Sequence, residues 1–156
     1  MRYVREIDGL RAVSVLVVLF YHAKFLPFAG GFVGVDVFFV ISGYLITMGI
    51  SESIRKDTFS LSGFYLRRAR RLAPALLPVL LFCLVCSWFI LMPNALRDLS
   101  QSLAAVAVFS SNFLFWIETG YFAPEPAVKV LIHTWSLAVE EQFYLLFPFC
   151  LLALRG

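Results

Sequence analysis

Four places in this chain set ionisable residues in or beside apolar sequence, where a charge is costly. Arg11 and His22 stand eleven residues apart at the two ends of the first apolar stretch. At about 100° and about 1.5 Å per residue, a helix would carry them on faces within about 20° of one another and about 16 Å apart. An imidazole titrates near neutral pH, so His22 inside a bundle can take a proton from a hydroxyl and give it back. The competing reading is a histidine at a helix end and an arginine snorkelling to lipid phosphates, and the pair alone leaves both open. Asp36, within GGFVGVDVFFVISGYLI, would either protonate or seek a cation such as Arg11, for structure as readily as for catalysis. Ser42 has a nucleophile's hydroxyl, but beside Gly43 it reads better as a packing notch.

Arg67, Arg68, Arg70 and Arg71 form the third place, just ahead of Leu72-Ala73-Pro74. Helical spacing sets Arg67 beside Arg70 and Arg71, and Arg68 beside Arg71. Guanidinium forks suit phosphate, whether of a lipid headgroup or of a nucleotide-bearing cofactor. On charge alone, an anchor to anionic lipid is the stronger reading. The fourth place is HTWSLAVEEQFYLLFP, where Glu140 and Glu141 are adjacent. Neighbours on a helix point about 100° apart, so one groove accommodates only one of the two carboxylates. Burial in lipid is ruled out by cost, which calls for a polar cavity or more protein around this helix.

The elements that must hold these residues are membrane helices. With 61% hydrophobic residues, 15% charged residues and 17 phenylalanines, the 156-residue chain has too little polar surface to coat a soluble globule. A crossing takes about 20 apolar residues, which leaves room for one domain and about five spans. They are expected near residues 10–28, 32–50, 74–92, 99–116 and 135–154. Arg2, Arg5 and Arg11 before an apolar core suggest a signal peptide, but Glu6 and Asp8 and the lack of a small-residue cleavage site speak against one. The stretch SESIRKDTFSLSGFYLRRARR reads as an interfacial loop and a short amphipathic helix, with Pro74 and Pro78 opening the third span. Ser110, Ser111 and Asn112 make the fourth span the most polar, so it should face other helices. The segment 120–129 is a Pro-rich loop.

Arg55, Lys56 and the four arginines between the second and third spans outnumber Lys24 and Arg97 in the other turns, which places that loop and the N-terminus in the cytoplasm. The formal charge of +3 therefore reports topology rather than a nucleic-acid partner. Cys83 and Cys86 have C-x-x-C spacing but no second ligand pair, and with Cys150 they read as buried packing rather than a redox or metal site. No metal is expected.

Taken together, IDGLRAVSVLVVLFYH, GGFVGVDVFFVISGYLI, FYLRRARRLAP and HTWSLAVEEQFYLLFP resemble the acyltransferase 3 family of bacterial membrane proteins. That resemblance implies an all-α, polytopic transmembrane helix bundle in the bacterial inner membrane. It implies transfer of an acyl group, usually acetyl, from acyl-CoA on the cytoplasmic side to a hydroxyl of a surface or exported carbohydrate. It makes Arg11 and His22 the catalytic pair, with His22 as proton acceptor or transient acyl carrier. The arginine motif would meet the phosphates of coenzyme A through Arg68 and Arg71 or through Arg67 and Arg70. Asp36, Glu140 and Glu141 take supporting roles. Because the family's domain is similar to a bundle of about ten helices, residues 1–156 look like its N-terminal half, with C-terminal helices of the same domain as partners. A half bundle would leave Glu140 and Glu141 without their cavity. The alternative to an enzyme is an inactive fragment or a non-catalytic transport or structural component of the membrane.

Overall fold

A computed structural model describes residues 5–118 and 129–154. Among these residues the chain is all α, with α1 at Arg5–His22, α2 at Val33–Arg55, α3 at Leu61–Ile90, α4 at Pro93–Ala107, α5 at Ser111–Glu118 and α6 at Thr134–Ala153. Three of these helices, α2, α3 and α6, are long and apolar enough to cross a membrane. The 18 residues of α1 include Arg5, Glu6, Asp8 and Arg11, so its apolar part is shorter. The expected loop at 120–129 lies, apart from Lys129, outside the described residues, as does Arg2.

The chain divides between residues 59 and 60 into two compact units. In the first, α1 and α2 form a hairpin through a short 3-10 turn at Leu26–Phe28. Their approach depends on two glycines. A Cβ on Gly31 would lie 2.4 Å from the Val17 carbonyl oxygen, and one on Gly34 would lie 2.5 Å from that of Ser14. Both obstacles are backbone and cannot swing aside, so no larger residue fits without parting the helices. Ser14 is buried at the crossing and returns its hydroxyl to Leu10 O at 2.8 Å.

The second unit is built on α3, whose N-cap Ser60 accepts a hydrogen bond from the Gly63 amide at 3.2 Å. Here the structure departs from the sequence reading. One 30-residue helix runs through Pro74 and Pro78 and takes in the stretch read as a separate amphipathic helix. At about 1.5 Å per residue, residues 72–90 already cover about 28 Å, nearly the whole hydrocarbon thickness, so the arginine turn is left at headgroup depth. Leu81, Phe82, Trp88, Phe89 and Ile90 are exposed, as a lipid-facing helix requires.

The expected fourth span is broken. Helices α4 and α5, at about 22 Å and about 12 Å, are each too short to cross alone. They meet at Phe109, whose φ of 53° is left-handed. The turn is closed by Ser110 N donating to Ala105 O at 2.8 Å. Ser110, Ser111 and Asn112 offer hydrogen bonds that compete with the helical ladder, and this favours the break here. Leu99 and Val106 of α4, Phe115 of α5 and Leu131 form the core, with Leu76, Leu80 and Cys83 of α3 against it. Cys86 is only half-buried, and Cys150 is exposed on α6 beside the exposed Phe149, so a packing role holds for Cys83 and fails for Cys150.

Candidate functional site

The sequence-predicted residues divide between the units, with Arg11, His22 and Asp36 in the first and the four arginines, Glu140 and Glu141 in the second. In the first, Arg11 and His22 lie on the one helix, as their spacing requires. The Arg11 guanidinium sits 5.2 Å from the ring centre of Phe38 on α2, and its Nε is buried without a hydrogen-bond partner. His22 closes α1 with Nδ1 at 2.8 Å from Val18 O. A carbonyl only accepts, so Nδ1 carries the hydrogen and the basic lone pair of the neutral ring falls on Nε2. The ring of Tyr21 meets the imidazole edge-on, with centroids 5.2 Å apart. Asp36 does not pair with Arg11. It is exposed in the first turn of α2, where the helix dipole favours a carboxylate without a cation, while the arginine takes an aromatic face instead. Ser42 is buried, as a packing residue would be.

In the second unit the structure separates the four arginines. Arg67, Arg70 and Arg71 are exposed, whereas Arg68 turns inward to Glu141 of α6, with Nη2 to Oε1 at 2.9 Å. Its guanidinium carbon lies over the Tyr144 ring, 3.5 Å from the centroid, and its Nε is buried without a partner. The Tyr144 hydroxyl donates to Glu140. The two adjacent carboxylates therefore diverge as expected and rejoin through one tyrosine, in the chain Glu141–Arg68–Tyr144–Glu140. Tyr144 lies one helical turn after Glu140, a spacing that sequence reasoning passed over.

Polar contacts missed in the sequence hold α6 in place. Gln142 donates from Nε2 to Phe109 O at 2.7 Å and to Asn112 Oδ1 at 2.9 Å, and Asn112 Nδ2 returns a bond to Gln142 Oε1 at 3.3 Å. Ser111 donates to Thr134 O at 3.0 Å, and Tyr65 donates to Leu145 O at 2.8 Å. Lys129 pairs with Glu118. The helix break thus serves as a docking point, since its exposed carbonyl at Phe109 is what Gln142 grips.

Between α3, the break and α6 lies a cavity of about 390 Å³, with Arg68 and Glu141 in its wall and Leu72, Leu76 and Leu80 along it. The expectation that this part of the bundle would leave both glutamates without a cavity is therefore corrected, because Glu141 lines one and Glu140 is bonded to Tyr144.

The model of the acyltransferase 3 family, described as an acyltransferase domain, matches residues 4–156. The chain belongs to that family. It is 42% identical over 149 residues to the O-acetyltransferase OatA of Staphylococcus aureus strain NCTC 8325, an alignment covering 94% of this chain and 24% of that protein. It is 40% identical over 153 residues to the peptidoglycan O-acetyltransferase OatA of Listeria monocytogenes, covering 97% of this chain and 24% of the relative. This acyltransferase 3 chain thus spans about a quarter of the length of these relatives. No solved structure matches it.

Proposed function

We propose that the protein takes part in O-acyl transfer, moving an acetyl group from acetyl-CoA to a hydroxyl of a cell-wall or other surface carbohydrate. Family membership and 42% identity to an O-acetyltransferase support the reaction class. The observation that carries the chemical reading is the Nδ1 bond of His22 to Val18 O, because it makes Nε2 the basic atom of the ring. In this reading Nε2 takes the proton of the sugar hydroxyl as its oxygen attacks the thioester carbonyl. The carbon–sulfur bond breaks, the new ester forms, and the proton passes to the leaving thiolate of coenzyme A.

Arg11 lies on the same helix, with a donor buried and unpartnered. Such a donor is costly to leave unbonded, and an oxygen of the substrate away from the reacting carbonyl would satisfy it. The exposed Arg67, Arg70 and Arg71 would meet the phosphates of coenzyme A. Arg68 is committed to Glu141 and Tyr144, so it supports rather than leads that contact, and Glu140, Glu141 and Asp36 keep supporting roles.

The Lys and Arg bias of the loop before α3 supports a cytoplasmic donor side and N-terminus, in a bacterial inner membrane. The acceptor would then be a carbohydrate on its way to, or at, the outer face, and further helices of the same domain would complete the bundle. Acetylation from labelled acetyl-CoA, measured in membranes carrying the wild-type protein or His22→Ala, tests the reading. Loss of transfer with unchanged membrane insertion is expected, and full transfer by His22→Ala would overturn the assignment.

A further inference from the structure

The cavity of the second unit has a polar end and an apolar body arranged along the axis of α3. Arg68 and Glu141 mark the polar end, and Leu72, Leu76, Leu80, Val108 and Leu145 wall the rest. From residue 72 to residue 80, α3 rises about 12 Å, a large part of one leaflet of a hydrocarbon core about 30 Å thick. The arginine turn stands at headgroup depth, because the residues after it already account for the hydrocarbon span of α3. The slot therefore starts at the level of lipid phosphates and descends at the depth of acyl chains.

The polar end is also chemically incomplete. A guanidinium has five N–H donors; the Arg68 Nη2 reaches Glu141, and Nε is buried with no partner. A buried donor without a partner is costly, and a phosphate oxygen reaching Arg68 Nε would satisfy it. The glutamate cancels much of the arginine's charge, but Arg67, Arg70 and Arg71 on the same turns keep the rim positive.

The geometry points to a resident anionic phospholipid in this slot, with its phosphate at Arg68 and one acyl chain lying along Leu72, Leu76 and Leu80 between α3, the α4–α5 break and α6. Such a lipid differs from the fluid annulus in two ways. It occupies a walled site at fixed stoichiometry, and it depends on the shape of the slot as well as on charge. It would brace the broken helix pair against α3 where α3, the break and α6 leave space between them.

The test is retention of lipid by the purified protein, exchanged into phosphatidylglycerol or phosphatidylcholine and washed in detergent, with bound lipid counted by native mass spectrometry. About one phosphatidylglycerol per chain should remain, bound about tenfold tighter than phosphatidylcholine, because both lipids offer Arg68 a phosphate but only the first presents a net negative headgroup to the positive rim. Ala73→Phe, which fills the slot while every charge stays, should lose it; the combined Arg67→Gln, Arg70→Gln and Arg71→Gln variant should keep one phospholipid per chain while losing the preference for phosphatidylglycerol. Equal retention by Ala73→Phe would overturn the proposal by showing adsorption on charge alone. Stoichiometric displacement of the lipid by acetyl-CoA would also overturn it by assigning the slot to the donor.

Discussion

The two units solve the problem of polar residues in an apolar chain in opposite ways. The α1–α2 hairpin packs tightly through Gly31 and Gly34 and leaves its chemistry open, with Arg11 Nε buried and unbonded and Asp36 exposed. The α3–α6 unit packs more loosely around a cavity, but its charges are interlocked, Arg68 with Glu141 and Tyr144 with Glu140. Arg11 Nε and Arg68 Nε are both buried without a partner, but Arg68 is tied to a carboxylate on another helix, which holds α3 and α6 in register, whereas Arg11 has only an aromatic face. The contrast is consistent with the proposal that the reacting groups lie on the hairpin and the scaffold for the donor side in the second unit.

Substitutions can break this contrast, and the largest effect is expected where the hairpin's chemistry is removed. His22→Ala should lower acetyl transfer by about 10²–10⁴-fold, the range of a lost general base, with little change in thermal stability. A parallel fall in folded protein would instead make His22 structural. On the other side, Arg68→Ala should destabilise the second unit by about 3–5 kcal/mol, because the half-buried Glu141 is left without its cation. Denaturant or thermal unfolding in detergent would report it. Removing both charges, as Arg68→Met with Glu141→Gln, should recover much of that loss, and equal damage in the double variant would contradict the interlock.

Gly34→Ala sharpens the comparison from the hairpin side. With its Cβ 2.5 Å from a backbone oxygen, the substitution should cost about 1–3 kcal/mol by parting α1 from α2, readable as a lower unfolding midpoint. Gln142→Ala should cost about 1–3 kcal/mol, since it leaves the Phe109 carbonyl and the Asn112 amide without their partner. The smallest stability effect, within about 0.5 kcal/mol, is expected for the exposed Arg71→Gln, whose consequence should appear in acetyl-CoA affinity instead.

What could be read from the sequence follows the same division. Local relations were legible: the shared helix of Arg11 and His22, the divergence of Glu140 from Glu141, and the long apolar runs of α2, α3 and α6. Each rests on helical period and span length, which neighbouring residues determine. The ion pair of Arg68 and Glu141 was not legible, because the partners are 73 residues apart and only the packing of α3 on α6 selects one arginine of four. The continuity of α3 was hidden by Pro74 and Pro78, which punctuate soluble helices but are accommodated in membrane helices. The break at Phe109 was hidden by its composition. Hydropathy averages over the polar cluster at 110–112, while the tertiary grip of Gln142 and Ser111 decides that the helix stops there. Which glycines mark a close approach came only from the fold, where a Cβ on Gly31 or Gly34 meets backbone and one on Gly49 meets nothing within 4 Å.

The most direct test of the account is acetyl-CoA binding by the purified chain in nanodiscs, measured for wild type and for the variant with Arg67, Arg70 and Arg71 all changed to Gln while Arg68 is kept. The account predicts saturable binding by the wild type, lost in the variant with the unfolding midpoint unchanged. Undiminished binding by the variant would contradict the placement of the donor phosphates on the exposed arginines.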